Sequence, residues 1–559
     1  MPRRTGIQKT RSTNTSPFTF DLHKLLEYPD ILESLWSFTQ NLAELIREKN
    51  NSIWSFIIRN SYRPAMLKQQ FDYLIGNPPW LSYRYISDPD YQDEIKRRAV
   101  TKYKIAPKSQ KLMTQMELAT VFLAHSMATF ARKDARLAFV MPRGILNSDQ
   151  HQNLILRKYS TDTKLKLTGY WDLWDVKPLF NVPACVLFAV RYPLTGSAKD
   201  VLPVLEWAGT LPARDVNWQV AKTRLESSEK EGRVIYLGGR AALSTAPGAT
   251  SPTKPSKYLG VFHQGATIVP RTFYFVRIND LKGKPDKDVA YWAETDPEQA
   301  ALAKKPYDDI FLSGPVEGRF IYSTVLGRHI LPFEIAIPAT VVLPVDEKHG
   351  GLGIIKAEKM KAEGYRKFAK WMSDAEQLWN TKRGDKADKQ DVYEWLDYQG
   401  KLSAQNLTQR YLVLYNAEGT NVAAAFFDRH THTLPLIVEH TVYWAALASR
   451  EEADYLCAVL NSEGVNLAIK PFQAMGLLGE RHIQKKLLEL PIPTFHHEDP
   501  KHVKISELGA KARETVALAT KSGEFPIDST VARQRAFIRT HLEAEMEEID
   551  TLVIKLLSK

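Results

Sequence analysis

Residues 71–80 read Phe-Asp-Tyr-Leu-Ile-Gly-Asn-Pro-Pro-Trp, an apolar strand that runs straight into a stiff bend. Neither proline offers a backbone N–H, each fixes its own φ, and each drives the residue before it toward extended geometry. In such a bend the Asn77 amide oxygen and the Pro78 carbonyl can converge as two acceptors beside the flat face of Trp80. That arrangement suits the two hydrogens of an exocyclic amine on a stacked base. An adenine amine is a poor nucleophile because its lone pair is delocalised into the ring. Two fixed acceptors stabilise the positive charge that develops on nitrogen, and positioning against an electrophilic methyl lowers the barrier further. The target atom is unreachable inside a duplex, so the base has to be swung out and stacked on an aromatic ring. The same residues also fit a plain rigid turn with Trp80 as a packing aromatic.

Downstream, the pattern predicts a helix over Lys111–Phe130 and a strand Ala135-Arg136-Leu137-Ala138-Phe139-Val140-Met141-Pro142 leading to Gly144-Ile145-Leu146. Then come Gly169-Tyr170-Trp171-Asp172-Leu173, Pro178-Leu179-Phe180 and a strand from Val182 to Phe188. With Asn77-Pro78-Pro79-Trp80 at its head, this succession resembles the γ-type amino-methyltransferases that modify adenine-N6 in DNA. The likeness is to the large modification proteins of Type IIG restriction systems and related phage-defence methylases. The resemblance implies S-adenosylmethionine as cofactor and Asn77, Pro78, Pro79 and Trp80 as the catalytic motif. It also implies that the region around 178–188 ends the catalytic sheet as an antiparallel pair, with an aromatic packing on the second face of the flipped base. Phe180 is the candidate for that aromatic, and a loop-end core residue is its other reading. Asn at the first motif position implies adenine rather than cytosine-N4.

A methyltransferase of this motif order carries, before residue 71, a strand ending in a Gly-rich turn that lets the backbone approach the cofactor. Residues 1–70 hold one glycine, Gly6, in a polar Arg/Lys/Thr/Ser leader, so no such turn can be drawn there. The rest of that stretch reads as amphipathic helices: Leu22, Leu25, Leu26, then Leu32, Leu35, Trp36, Phe38, then Leu42, Leu45, Ile46, then Ile53, Trp54, Ile57. Gly350-Gly351-Leu352-Gly353 is the nearest downstream match and reads as a turn. The cofactor-binding residues are therefore unknown, and the chain resembles the portion of a methyltransferase from the catalytic loop onward. Either a second polypeptide supplies the cofactor half, or the sequence is a truncated or relic product. A catalytic sheet without its first strands would expose an unpaired edge, for which a complementary partner is physically plausible.

With 559 residues, 44% of them hydrophobic and 25% charged, the chain can bury a core and is not disordered. A net charge of +11 favours a polyanionic partner and gives phosphate contacts the right sign. Two cysteines, Cys185 and Cys457, both in apolar runs, exclude a disulfide framework and a thiolate zinc site and fit a reducing cytoplasm. No apolar run reaches membrane-spanning length. The groups His430, His432, His440 and His496, His497, His502 lack helix-borne spacing and acidic companions, so no metal site is expected.

Beyond residue 195 the character changes. Gly239–Tyr258 has the composition of a connecting loop. The segment from Phe262 to Val276, with Gly265-Ala266-Thr267 and Pro270-Arg271, resembles the entry to the target-recognition region of large defence-system methylases. Arg271 offers a planar fork for phosphate or guanine, or else a structural ion pair. Val459-Leu460-Asn461-Ser462, Lys470-Pro471-Phe472-Gln473-Ala474-Met475-Gly476, Arg481-His482-Ile483 and Leu488–Pro493 resemble the closing elements of target-recognition domains in Type IIG and Type I specificity proteins. Arg271, Lys470 and Arg481 are the candidate DNA contacts. From Val503 onward, two amphipathic helices about Gly523-Glu524-Phe525-Pro526 predict a helical hairpin or coiled-coil tail.

The expected architecture is α/β: a partial Rossmann-like class I methyltransferase sheet, then a mixed α/β target-recognition domain and a C-terminal helical tail. Its expected divisions are a basic leader with helices (1–70), the methyltransferase catalytic region (71–195), the target-recognition domain (196–500) and the tail (501–559). The expected activity is site-specific adenine-N6 methylation of double-stranded DNA in a restriction-modification or phage-defence system, incomplete or split. The alternative is a non-catalytic DNA-recognition subunit or relic of such an enzyme.

Overall fold

The computed structural model describes residues 29–48, 67–191 apart from 108, 157, 161, 162 and 164, then 201–245, and 254–557 apart from 280, 349, 385–388, 477 and 478. The expected leader and the helical stretches around Leu22–Leu26 and Ile53–Ile57 lie outside them, as does part of the loop 239–258. Between those stretches α1 (Pro29–Arg47) is a helix, with Leu35, Trp36 and Ile46 exposed. No described helix is long and apolar enough to cross a membrane.

The apolar run before Asn77 forms β1 (Phe71–Gly76). It belongs to a seven-stranded sheet with β2 (Ala131–Pro142), β3 (Leu165–Lys177), β4 (Ala184–Arg191), β5 (Val201–Thr210), β6 (Leu225–Leu237) and β7 (Arg240–Ser244), in the order β1-β2-β4-β3-β5-β6-β7. β1 runs parallel to β2, with Leu74 opposite Leu137 and Gly76 opposite Phe139. β2, β4 and β3 are antiparallel neighbours, β5 lies parallel to β3, and β6 and β7 complete the sheet antiparallel. β1 is therefore the marginal strand. Among the described residues nothing pairs with its outer side, and Tyr73 and Ile75 are 67% and 85% exposed.

The β3–β4 pair is antiparallel as expected, but it does not end the sheet. β5, β6 and β7 carry it on to Ser244, so the boundary expected between 195 and 196 falls inside one sheet. Pro203 in β5 hides this continuation, because proline contributes no N–H to a ladder and reads as a strand breaker. Gly169 in β3 accommodates it: a Cβ there would lie 2.6 Å from the Pro203 carbonyl oxygen, and the β3 register against β4 shifts at the same point.

The helix expected over Lys111–Phe130 is interrupted. Only Gln110–Met113 and α2 (Leu118–Thr129) are helical, because the backbone between them is drawn into pairing with the chain that follows Trp80. The Tyr83 N–H donates to the Met116 carbonyl and the Leu118 N–H to the Leu81 carbonyl, each at 2.8 Å. Leu118, Val121, Leu123 and Met127 of α2 are buried with Leu137, Phe139 and Met141 of β2 in one core that Leu74 and Trp80 also border.

The region from 254 to 557 is mixed α/β. α3 (Arg366–Lys382) packs with two three-stranded sheets, and a four-stranded antiparallel sheet of Ala424–Asp428, Tyr411–Asn416, Val442–Leu447 and His263–Gln264 supports α4 (Arg450–Asn461). The C-terminal segment holds three helices, α5 (Pro500–Ala519), α6 (Val531–His541) and α7 (Glu543–Leu557), rather than the expected pair. They do not form a free hairpin or coiled coil. Ile505, Ala512, Ile538, Ile549 and Val553 share one core with α4 and with Ile235, Leu237 and Ala242 of the seven-stranded sheet. α5 meets α4 at Gly509, where a Cβ would lie 2.3 Å from the Asp454 carbonyl, and Arg513 pairs with the Asp454 carboxylate at 2.9 Å.

Candidate active site

The strand-to-bend transition sits at the C-terminal end of β1, where chain leaving a parallel pair emerges from the ladder. Asn77 and Pro79 are exposed, Pro78 is buried and Trp80 is partly buried. The Trp80 indole N–H donates to the Val140 carbonyl of β2 at 3.2 Å, which fixes the ring against the sheet. Pairing of Leu81–Tyr83 with Met116–Leu118 anchors the far side of the bend. The bend is thus held at both ends while Asn77 remains open.

Phe180, on the turn between β3 and β4, is 42% exposed, and its ring lies 4.9 Å from that of Trp80, tilted by 55°. The two aromatics singled out from sequence are brought together, but they touch. A base between them needs ring planes about 7 Å apart, two contact distances. The expected sandwich is closed here.

Sequence reasoning missed the side chains behind this pair. The Arg143 Nε donates to both oxygens of Asp172 at 2.9 Å, its Nη2 approaches the same carboxylate at 2.8 Å, and its guanidinium lies 5.7 Å from the centre of the Trp174 ring. The Arg143 N–H donates to the Pro183 carbonyl at 2.8 Å, so one residue links the end of β2 to the turn that carries Phe180. The signal was an arginine directly after the strand, with an aspartate in Gly169–Leu173. The groove beside Arg143 also holds Asp175, Glu206 and Glu226, so its charge is acidic.

Glu117, at the N-cap of α2, places its carboxylate 3.8 Å from the fully buried His151 imidazole. Burial pushes Glu117 up to about 7 and His151 down to about 4. The His151 Nδ1 is 3.0 Å from the Thr120 hydroxyl. Near neutrality the imidazole is uncharged, so the contact is not an ion pair.

The remaining candidates are dispersed. Lys470 is half-buried at the start of the turn Lys470–Phe472, and Gln473 just beyond it accepts a 2.9 Å hydrogen bond from the Asn147 amide through its carbonyl. The segment expected to close the recognition region therefore abuts the loop after β2. Arg481 ends a small hairpin, Ala474–Gly476 with Gly479–Arg481, and its side chain lies outside the described residues. Arg271 is largely enclosed, with Nη1 donating to Gln299 at 2.8 Å and Nη2 4.0 Å from the buried Glu439 carboxylate. Gly350–Gly353 forms the turn and second strand of a hairpin with Val345–Lys348, where a Gly351 Cβ would lie 2.4 Å from the Ser403 carbonyl. That close approach requires Gly351, and the φ of +84° at Gly350 favours glycine in the turn, as the turn reading expects. Among the described residues no group of three His, Cys, Asp or Glu is arranged to hold a metal ion.

Residues 17–171 match the Eco57I restriction-modification methylase family, a span that contains the whole Asn77–Trp80 bend and ends within β3. No curated protein matches the chain. Among solved structures it is similar to the Type IIL restriction-modification enzyme MmeI, determined in complex with DNA, at 12% identity over 89% of this chain and 55% of that one, with a TM-score of 0.52. Likeness at that identity concerns the fold: a mixed α/β protein built on a multi-strand mixed sheet. The type IIG restriction endonuclease BpuSI (12% identity, 89% of this chain, 55% of that one, TM-score 0.25) matches too loosely to support more. So does a nuclease-deletion mutant of the Type ISP enzyme LlaGI, bound to a DNA substrate mimic (10%, 83%, 43%, TM-score 0.39). The chain spans about half the length of the first of these structures.

Proposed function

We propose that the chain is the catalytic-bend and recognition portion of a site-specific DNA adenine-N6 methyltransferase of a restriction-modification or phage-defence system. Its substrate would be double-stranded DNA and its methyl donor S-adenosylmethionine. The observation that carries this reading is an exposed Asn77 beside an indole pinned to β2, inside a span that matches a methylase family. In this reading β1–β4 are the later strands of a partial Rossmann-like sheet, and the donor's site is completed by chain lying along the free margin of β1. Either a second polypeptide or a longer version of this one would serve. The sequence before β1 holds no Gly-rich turn for the donor, so the roles proposed for residues of this chain are confined to the base.

The Asn77 amide oxygen and the Pro78 carbonyl would accept the two amine hydrogens and orient the nitrogen, while bound S-adenosylmethionine would supply the methyl group, its S–CH3 bond breaking as the N–CH3 bond forms and one amine proton passing to solvent. Trp80 stacks on one face of the extruded base. Phe180 leaves the Trp80 ring to admit the base and closes on its other face. Breaking an aromatic pair of that kind costs about 0.5–1.5 kcal/mol, less than the few kcal/mol of unstacking a base from duplex DNA. Arg271, Lys470 and Arg481 would contribute to binding DNA around the site.

The test is nucleoside mass spectrometry on unmethylated DNA incubated with S-adenosylmethionine and the chain, alone and with the product of the adjacent reading frame. N6-methyladenine that disappears with Asn77→Ala supports the proposal, whereas N4-methylcytosine overturns the choice of base. The second reading, a non-catalytic recognition subunit or relic, draws on the closed contact between Trp80 and Phe180. It predicts DNA binding without methylation in every combination.

A further inference from the structure

A concave site in the region 254–557 shares no residue with the Asn77 bend. It is a half-open cavity of about 730 Å³, lined by segments between Thr267 and His440, within the size range of small-molecule sites. Its wall is aromatic. Trp379 of α3 stacks on Tyr307 at 5.8 Å and 19° and meets Trp395 at 5.5 Å and 42°. Trp379 is buried and held by an indole N–H donated to the Gln390 carbonyl at 3.0 Å, while Trp395 is only half-buried and keeps ring surface open. The Tyr307 hydroxyl is buried and has no hydrogen-bond partner among the described residues.

The rim is cationic. Lys304 and Lys305 line the cavity, are exposed, and take part in no ion pair among the described residues. Arg271 lies deeper, its guanidinium oriented by Gln299 and by the buried Glu439. Those contacts occupy only part of a group that carries five N–H donors. A flat apolar wall beside two exposed lysines that make no ion pair among the described residues matches a ligand that is planar at one end and anionic at the other. A fatty acid would waste the stacking surface, and a sugar phosphate would leave it bare.

We propose that this cavity binds a nucleotide, its base stacked on Trp395 and its phosphate held by Lys304, Lys305 and Arg271. Base stacking on aromatic side chains and charge-assisted phosphate contacts are together sufficient for such recognition, and neither requires a particular base. A free mononucleotide and a nucleotide extruded from a DNA strand present the same chemistry. The site stands independently of methyl transfer, since it uses neither Asn77 nor Trp80.

Isothermal titration of the full chain with dAMP, deoxyribose 5-phosphate and deoxyadenosine tests it. dAMP is expected to bind roughly tenfold more tightly than either fragment, as stacking and phosphate contacts both contribute. A Lys304→Ala/Lys305→Ala variant, altered only at exposed positions, should lose roughly tenfold in dAMP affinity, and Trp395→Ala should reduce dAMP to the level of the sugar phosphate. A duplex with one extrahelical nucleotide, compared with its fully paired parent, identifies the source. A preference for the former that vanishes in the double lysine variant assigns the ligand to DNA, and dAMP binding without that preference assigns it to a free mononucleotide. Absence of both dAMP binding at about 1 mM and the duplex preference, or a lysine variant that behaves as the parent protein, overturns the proposal.

Discussion

The Asn147 side-chain amide donates to the Gln473 carbonyl over 2.9 Å, joining buried residues 326 positions apart. Asn147 follows the strand that carries Val140, on which the Trp80 indole is pinned, and Gln473 follows Lys470, so this bond couples the first sheet to the turn Lys470–Phe472. Removing it strands a buried carbonyl, which costs about 1–3 kcal/mol. Asn147→Ala should therefore lower the thermal midpoint by about 1–3 °C in a calorimetric scan, whereas a shift indistinguishable from zero would show that the two segments are not coupled there.

Asn77 is exposed and no described contact depends on it, so its replacement should leave the fold intact. Asn77→Ala is expected to change stability by less than about 0.5 kcal/mol and DNA affinity by no more than a few-fold, while abolishing N6-methyladenine formation. Urea denaturation, a binding titration and nucleoside analysis on the same preparation read all three.

Trp80 and Phe180 should differ in kind although their rings touch. Trp80 borders a core and donates to the Val140 carbonyl, so Trp80→Ala should cost roughly 2–3 kcal/mol. Phe180 is 42% exposed, and Phe180→Ala should cost under about 1 kcal/mol while still weakening capture of an extrahelical base. Equal destabilisation by the two variants would contradict this division.

Glu117 and His151 load the fold with opposite pH dependences. A carboxyl raised from 4.5 to about 7 makes the folded state bind the extra proton, so its contribution to stability is full in acid and is lost as pH climbs through that window. An imidazole lowered from 6.5 to about 4 does the reverse: its contribution is present above 6.5 and is lost on acidification toward 4. Glu117→Gln should therefore gain on the parent protein, by on the order of 1–3 kcal/mol, as pH rises from about 4.5 to about 7. Parallel melting curves for parent and variant across that range would refute the burial of this carboxyl.

At Gly509 the close approach of α5 to α4 leaves no room for a side chain. Gly509→Val should cost more than about 3 kcal/mol and lower the melting of the entire chain in one step. A separate early transition confined to the last helices would mean that they are not part of the common core.

Much of the first sheet was legible, because β1, the later part of β2 (135–142) and β4 are mostly apolar runs bounded by Pro, Gly or Asn, and the Asn-Pro-Pro-Trp bend states its own stiffness, whereas the charged residues 132–134 at the start of β2 gave no strand signal. What escaped was decided by tertiary contact. Pro203 reads as an interruption until Gly169 is seen opposite it. The break before α2 follows from backbone pairing with Leu81–Tyr83, which no local propensity encodes. Phe180 was found but its contact with Trp80 was not, since an empty slot and a closed one have the same sequence. Arg271 displays a donor fork in sequence, yet only the fold reveals that Glu439 stands behind it. The nucleotide-sized cavity draws on segments more than a hundred residues apart, beyond the reach of any linear pattern.

Leu237 of β6 is buried in the same core as Leu488 and Val553, and this has a bearing on how such proteins can be re-engineered. A specificity module that is a bead on a string can be exchanged at its linkers. Here a graft spliced near residue 195 would cut the sheet, and one ending near residue 500 would leave the recipient's helices against a foreign floor. A working chimera would have to take β5–β7 and the last three helices as a single inheritance, or keep them all from the recipient and vary only the loops they support.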